Sequence, residues 1–156
     1  SNTGTRLFTG RLAEICYYAY AVNEAERIII ENYLSAKYYA NFFINDKYEY
    51  QVEYGDGVIG IGQHNNAGIE HNVSQGDNLF EISVSSMDGT FNGSGPQYIH
   101  TGHNNSSIAW TSQNTPDSAS IQRLQRVWRW DLNSLTGTRT VDLKMSTYDL
   151  DKLPPL

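Results

Sequence analysis

The side chains most able to do chemistry are histidines, carboxylates and tryptophans, and their spacing limits what each set can do. His100 and His103 lie close together on one segment. Imidazoles so placed can ligate a metal, but zinc wants a third or fourth ligand at fixed spacing. His64 and His71 serve only if the fold brings them in; otherwise all four are ordinary hydrogen-bonding histidines, and no metal ligand is assigned. Asp56, Asp77 and Asp88 sit in Gly-rich turns. Aspartates there bond their own backbone, which accounts for them without calcium. Structural calcium is the one cofactor left open, and none is expected otherwise. Hydrolysis of a glycosidic bond needs two carboxylates at a set separation. Glu49, Glu53, Glu70 and Glu81 are available, but Glu49, Glu53 and Glu81 read as solvated charges on the polar faces of strands. There is no Gly-x-Ser-x-Gly elbow and no phosphate loop, and Gly60-Ile-Gly62 lacks the third glycine and the following helix of a dinucleotide fingerprint. No catalytic residue is assigned, and the chain is not expected to be an enzyme.

Trp110, Trp128 and Trp130, with Asn104 and Asn105, form the candidate carbohydrate-binding set. Apolar sugar faces pack on aromatic rings, and asparagine amides bond hydroxyls. The simpler reading points Trp128 and Trp130 into a core, with Arg123 and Arg126 covering their rings by cation–π contact. Cys16 lies in an apolar run and reads as a small buried hydrophobe rather than a nucleophile.

The elements that must position these groups follow from periodicity. Residues 1–10 are polar and read as a loop. Residues 12–19 are apolar and β-prone, which predicts a strand too apolar to be left exposed. Asn23 and Glu26 have capping-box spacing, and Ala25, Ile28, Ile29, Tyr33 and Ala36 share one helical face. This predicts an amphipathic helix from Asn23 to near Tyr38. Beyond it, alternation predicts strands around 48–54, 58–61, 80–84, 98–100, 108–110, 124–132 and 141–145. Gly55-Asp56-Gly57 and Asp88-Gly89 read as turns. Gly62–Ala67 and Gly102–Ser106 echo each other as two similar turns rather than a repeat. Many short strands between Gly/Asn turns predict a mainly β protein, an antiparallel β-sandwich of jellyroll or immunoglobulin-like kind, with one amphipathic helix near the N-terminus. The paired prolines of 149–156 read as a linker.

Composition sets outer limits. A length of 156 residues suits one ordinary domain, or one with an appendage. With 39% hydrophobic and 18% charged residues, a core is affordable. A net charge of −6 with only 11 Lys plus Arg argues against nucleic acid and anionic membrane as partners. No apolar run approaches the length of a membrane span, so no membrane insertion is expected. The chain has 14 Asn, 13 Gly and 11 Tyr but 4 Lys, a bias common among secreted bacterial β proteins. The single cysteine allows no internal disulfide and suits either a reducing cytosol or an exterior that does not rely on bridges. Without an initiating Met or a charged-then-apolar leader, the chain reads as processed or cut.

Two stretches carry a resemblance. Residues 13–38, AEICYYAYAVNEAERIIIENYLSAKY, resemble the C-terminal strand and helix of LamG-like, concanavalin A-like jellyroll domains, through Glu14, Glu26, Arg27, Glu31, Tyr33, Leu34, Lys37 and Tyr38. Residues 45–148 resemble the β domain of unknown function that often follows that jellyroll, through VIGIGQHNNAG (58–68), YIHTGHNNSSIAW (98–110) and RLQRVWRWDLNSLTGTRTVDL (123–143). The resemblance implies three parts: 1–44, the terminal strand and helix; 45–148, the β-sandwich; and 149–156, the linker. It implies a non-catalytic structural or adhesive module of a large secreted bacterial surface protein, in a filament or stalk. Its partners would be other domains or copies of that protein, and glycans. Most of the implied jellyroll is missing before residue 13, so a neighbour's sheet is one candidate to receive the N-terminal segment. A carbohydrate-binding module is the alternative.

Overall fold

The computed structural model describes residues 8–40, 45–65, 69–76, 80–85, 91, 95–116, 121–135 and 139–146. Asp77, the Asp88-Gly89 turn and the 149–156 linker lie outside the described residues.

The first regular element is the expected helix, α1 (Glu24–Tyr38). Asn23 accepts from the Glu26 backbone N–H at 3.0 Å, and Glu26 accepts from the Asn23 backbone N–H at 2.8 Å. Two amides at the start of the helix are thus satisfied locally. Tyr39 closes the helix in the left-handed region, where its N–H bonds back to the last turn. Two polar residues, Asn32 and Ser35, join Ala25, Ile28, Ile29 and Ala36 on the buried face.

Strands β1 (Asp56–Asn65), β2 (Ile69–His71), β5 (Gln97–His103) and β8 (Trp128–Asn133) form one antiparallel sheet in the order β2-β1-β5-β8. Strands β3 (Val73–Gly76), β4 (Phe80–Val84) and β9 (Val141–Met145) form a second, in the order β3-β4-β9. A two-stranded ladder joins β6 (Trp110–Thr111) to β7 (Arg123–Leu124). The chain is mainly β, a sandwich of antiparallel sheets with one main helix near the N-terminus.

The core between the sheets is built from Ile59 and Ile61 of β1, Phe80 and Ile82 of β4, Ile99 of β5, and Phe91. The other face of the four-stranded sheet is covered by α1, where Ala25, Ile28 and Ile29 pack with Tyr98. Strand β5 is therefore buried along its whole length. Gly60 and Gly62 belong to this geometry. A Cβ on Gly60 would stand 2.5 Å from Cδ2 of His100, and one on Gly62 would collide with the Tyr98 ring. Their absence lets both rings lie against β1 beneath the helix.

Four expected strands turn out differently. Residues 48–54 alternate, yet they form a turn followed by the short helix α2 (Gln51–Tyr54). The backbone N–H groups of Lys47 and Tyr48 donate to Asn32 Oδ1, and that of Glu49 donates to Asp131. Side chains, rather than a neighbouring strand, satisfy the backbone there. Residues 12–19 form no strand, have no ladder partner among the described residues, and are nearly all exposed. The expected 124–132 strand is two strands, β7 and β8. The Asn104 backbone N–H donates to Val127 O, and its side-chain oxygen accepts from Val127 N–H. This exchange holds the chain out of the ladder between them. The 108–110 strand shrinks to β6. Gly62–Asn65 and Gly102–His103, expected as turns, lie within the ladders of β1 and β5.

Candidate functional site

The N-terminal segment runs back along α1. Glu14 accepts from Lys37 Nζ at 2.8 Å and from the Tyr38 hydroxyl at 2.8 Å, while the Tyr20 hydroxyl donates to Glu26 at 3.3 Å. Between this segment, α1, the start of β1 and the β2–β3 corner lies an open cleft of about 410 Å³. Such a volume falls within the range of small-molecule sites.

One wall of the cleft is aromatic: Tyr18 and Tyr20, edge to face with centroids 6.3 Å apart, and Tyr33 from α1. The polar lining of the cleft includes Glu26, which the Tyr20 hydroxyl touches, together with His71 and Ser74. His71 Nδ1 stands 3.8 Å from Glu26 Oε1. Burial pushes the His71 imidazole below its usual range, and the neighbouring Glu26 carboxylate opposes this only in part. Its neutral form then carries one donor and one acceptor at pH 7. The Tyr20 phenol is pushed up by the Glu26 charge. Both Glu26 oxygens are engaged, one in capping α1 and the other by Tyr20. Glu26 therefore acts as a fixed acceptor rather than a proton shuttle. Ser74 Oγ lies 3.4 Å from the Gly60 amide, which donates to it.

The groups singled out from sequence lie elsewhere. Trp128 stacks on Phe80 at 5.3 Å, and Trp130 meets the same ring edge-on at 6.2 Å. Both pack against the inter-sheet core, as the simpler reading has it. Trp130 also lines an apolar groove of about 310 Å³ with Leu132 and Leu143, and no asparagine lines it. Trp110 stands on the separate β6–β7 ladder. The Asn104 side-chain oxygen accepts from the backbone of Val127 and Ser106, while Asn105 is exposed with φ of 52°. The five residues are not gathered around one cavity. Arg126 donates to Ser106 O; the cation–π contact on this strand is made by Arg129, 4.4 Å from the Tyr50 ring.

His100 and His103 face opposite sides of β5: His100 stacks on Tyr98 beneath the helix, and His103 meets Trp128 in the sandwich. They cannot share an ion. No group of three or more potential metal ligands occurs among the described residues. Glu49 and Glu53 are exposed, and Glu81 pairs with Lys144 at 3.6 Å across β4 and β9. Cys16, expected to be buried, is exposed, because the segment carrying it enters no sheet. Partial desolvation and the Glu14 carboxylate push its thiol up, so it is mostly protonated at neutral pH.

Comparison of the chain with models of known protein families, with curated proteins and with solved structures gave no match. The cleft escaped sequence reasoning because its walls are distant in the chain. Glu26 carried a capping signal, Tyr18 and Tyr20 a strand signal, and His71 only a lone imidazole.

Proposed function

We propose that the chain is a structural and adhesive β module of a large secreted bacterial surface protein, built into a filament or stalk. One observation carries the reading. In the N-terminal segment Leu12, Ile15 and Tyr17 are 65%, 75% and 89% exposed, while Glu14 ties the segment along α1. Apolar surface left in water is unfavourable by roughly 25 cal/mol per Å². A segment with apolar side chains and no ladder partner among the described residues is suited to adding a strand to another sheet. The partner sheet in this reading belongs to a neighbouring module of the same surface protein. The Lys-poor, Asn- and Tyr-rich composition and the resemblance to LamG-bearing surface proteins support an extracellular setting. The module works through surfaces, with no bond-making step assigned.

The test is amide hydrogen exchange over residues 12–19, in this chain alone and in the surface protein purified from cells. Fast exchange alone and protection in the surface protein is the expected pair. Equally fast exchange in both contradicts the proposal.

A further inference from the structure

The cleft beside α1 has a chemistry that the module reading does not use. We propose that it binds a neutral hexopyranoside, with Tyr20 as the stacking platform and Glu26 and His71 as hydrogen-bonding partners.

The lining of the cleft disfavours several classes of ligand. The Glu26 carboxylate lies in the cleft and disfavours an anion. A cation is disfavoured on the Tyr33 ring because Lys37 Nζ already stands 5.0 Å from its centroid. A purely apolar ligand would strip water from the Glu26 carboxylate, the His71 imidazole and the Ser74 hydroxyl without replacing it, which costs free energy. What remains is a neutral molecule with one apolar face and several hydroxyls at its rim. A pyranose has that form: axial hydrogens make an apolar patch, and its hydroxyls both donate and accept. The site offers matching parts. Tyr20 is a largely exposed ring on one wall. Beside its hydroxyl end, Glu26 accepts, and His71, 3.8 Å from Glu26, can both donate and accept in its neutral form. The Tyr20–Glu26 hydrogen bond and the capping box fix two of these groups before a ligand arrives, which lowers the ordering cost of binding. A cleft of about 410 Å³ has room for one such ring and part of a second.

The test is a protein-observed NMR titration with the methyl glycosides of glucose, galactose, mannose and N-acetylglucosamine, each at millimolar concentration. At least one is expected to give saturable shifts centred on the amides of Tyr20, His71 and Gln75. Tyr20→Ala should weaken that binding by about tenfold, the size of a lost stacking contact. Its thermal unfolding midpoint should fall by a few degrees at most, since the ring is largely exposed and loses one exposed hydrogen bond and one ring contact. Trp110→Ala should bind like the parent chain. Absence of saturable shifts with all four glycosides overturns the proposal. So do shifts centred on Trp110, Trp128 or Trp130, or a Tyr20→Ala variant that binds as well as the parent. The exchange experiment on residues 12–19 is a separate readout, so either proposal can fail without the other.

Discussion

Asn32 holds the layer that covers one end of the four-stranded sheet, and its removal should be costly out of proportion to its size. The side chain is 1% exposed and makes four hydrogen bonds. Its amide donates to Ile28 O at 2.8 Å and Asn45 O at 3.0 Å. Its oxygen accepts the Lys47 and Tyr48 backbone N–H groups at 2.6 and 2.9 Å. Asn32→Leu keeps the branched outline of the side chain but orphans two backbone donors and one carbonyl. The Tyr48 amide is buried, and an unpaired buried donor costs about 1–3 kcal/mol. Lys47 and Asn45 are half-buried, so water recovers part of their loss. The expected destabilisation is about 2–4 kcal/mol. It should appear in urea unfolding as a lower midpoint with an unchanged slope. Amides 47 and 48 should also exchange faster than those of β5. Asn32→Asp keeps the acceptor and should fall between Leu and the parent. A loss below about 0.5 kcal/mol for Asn32→Leu, the scale of an ordinary surface substitution, would refute the reasoning.

Two other outcomes follow from the same face of the sheet. His100 is fully buried among Tyr98, Tyr48 and the nearby Lys47 charge, and burial drives its imidazole down to about 3. Because the folded value lies below the unfolded one, this contribution is complete above about pH 6.5 and is lost as pH falls toward 3. About 2 kcal/mol should be gone by pH 5; His100→Phe should flatten that acid limb of the urea midpoint, and an unchanged limb would contradict it. Gly60→Ala places a methyl 2.5 Å from the His100 ring and should cost about 1–3 kcal/mol in urea unfolding. The cost should shrink in the His100→Ala background, and simple additivity of the two changes would argue against the contact.

Legibility in the sequence followed the range of the signal. The capping box is local, so α1 could be read nearly to the residue from Asn23, Glu26 and the Ile28/Ile29 stripe. Alternation found β4 and β9, where Phe80, Ile82 and Val84 pair with Met145, Leu143 and Val141. The same alternation misled at Tyr48, Tyr50 and Val52, because a period of two says which residues share a face and nothing about a neighbouring strand. There the deciding partners, Asn32 and Asp131, are far away in the chain. Residues 12–19 have strand propensity without an edge to join. The cover that α1 lays over Tyr98 and His100 was hidden for another reason. A sandwich strand needs one apolar face, whereas β5 has both faces buried and carries Gln97, His100 and Thr101 inside. The cleft of Tyr20, Glu26 and His71 depends on where the N-terminal segment lies against α1, which no short pattern encodes.

In the proposed module the N-terminal segment is the contact surface for a neighbour, and the single thiol, Cys16, reports on it. Alkylation at Cys16, read by mass spectrometry of its peptide, compares this chain with the surface protein purified in its assembled form. Steady labelling in the chain alone and strong protection in the assembled protein are expected. Equal labelling rates in both would contradict that role of the segment.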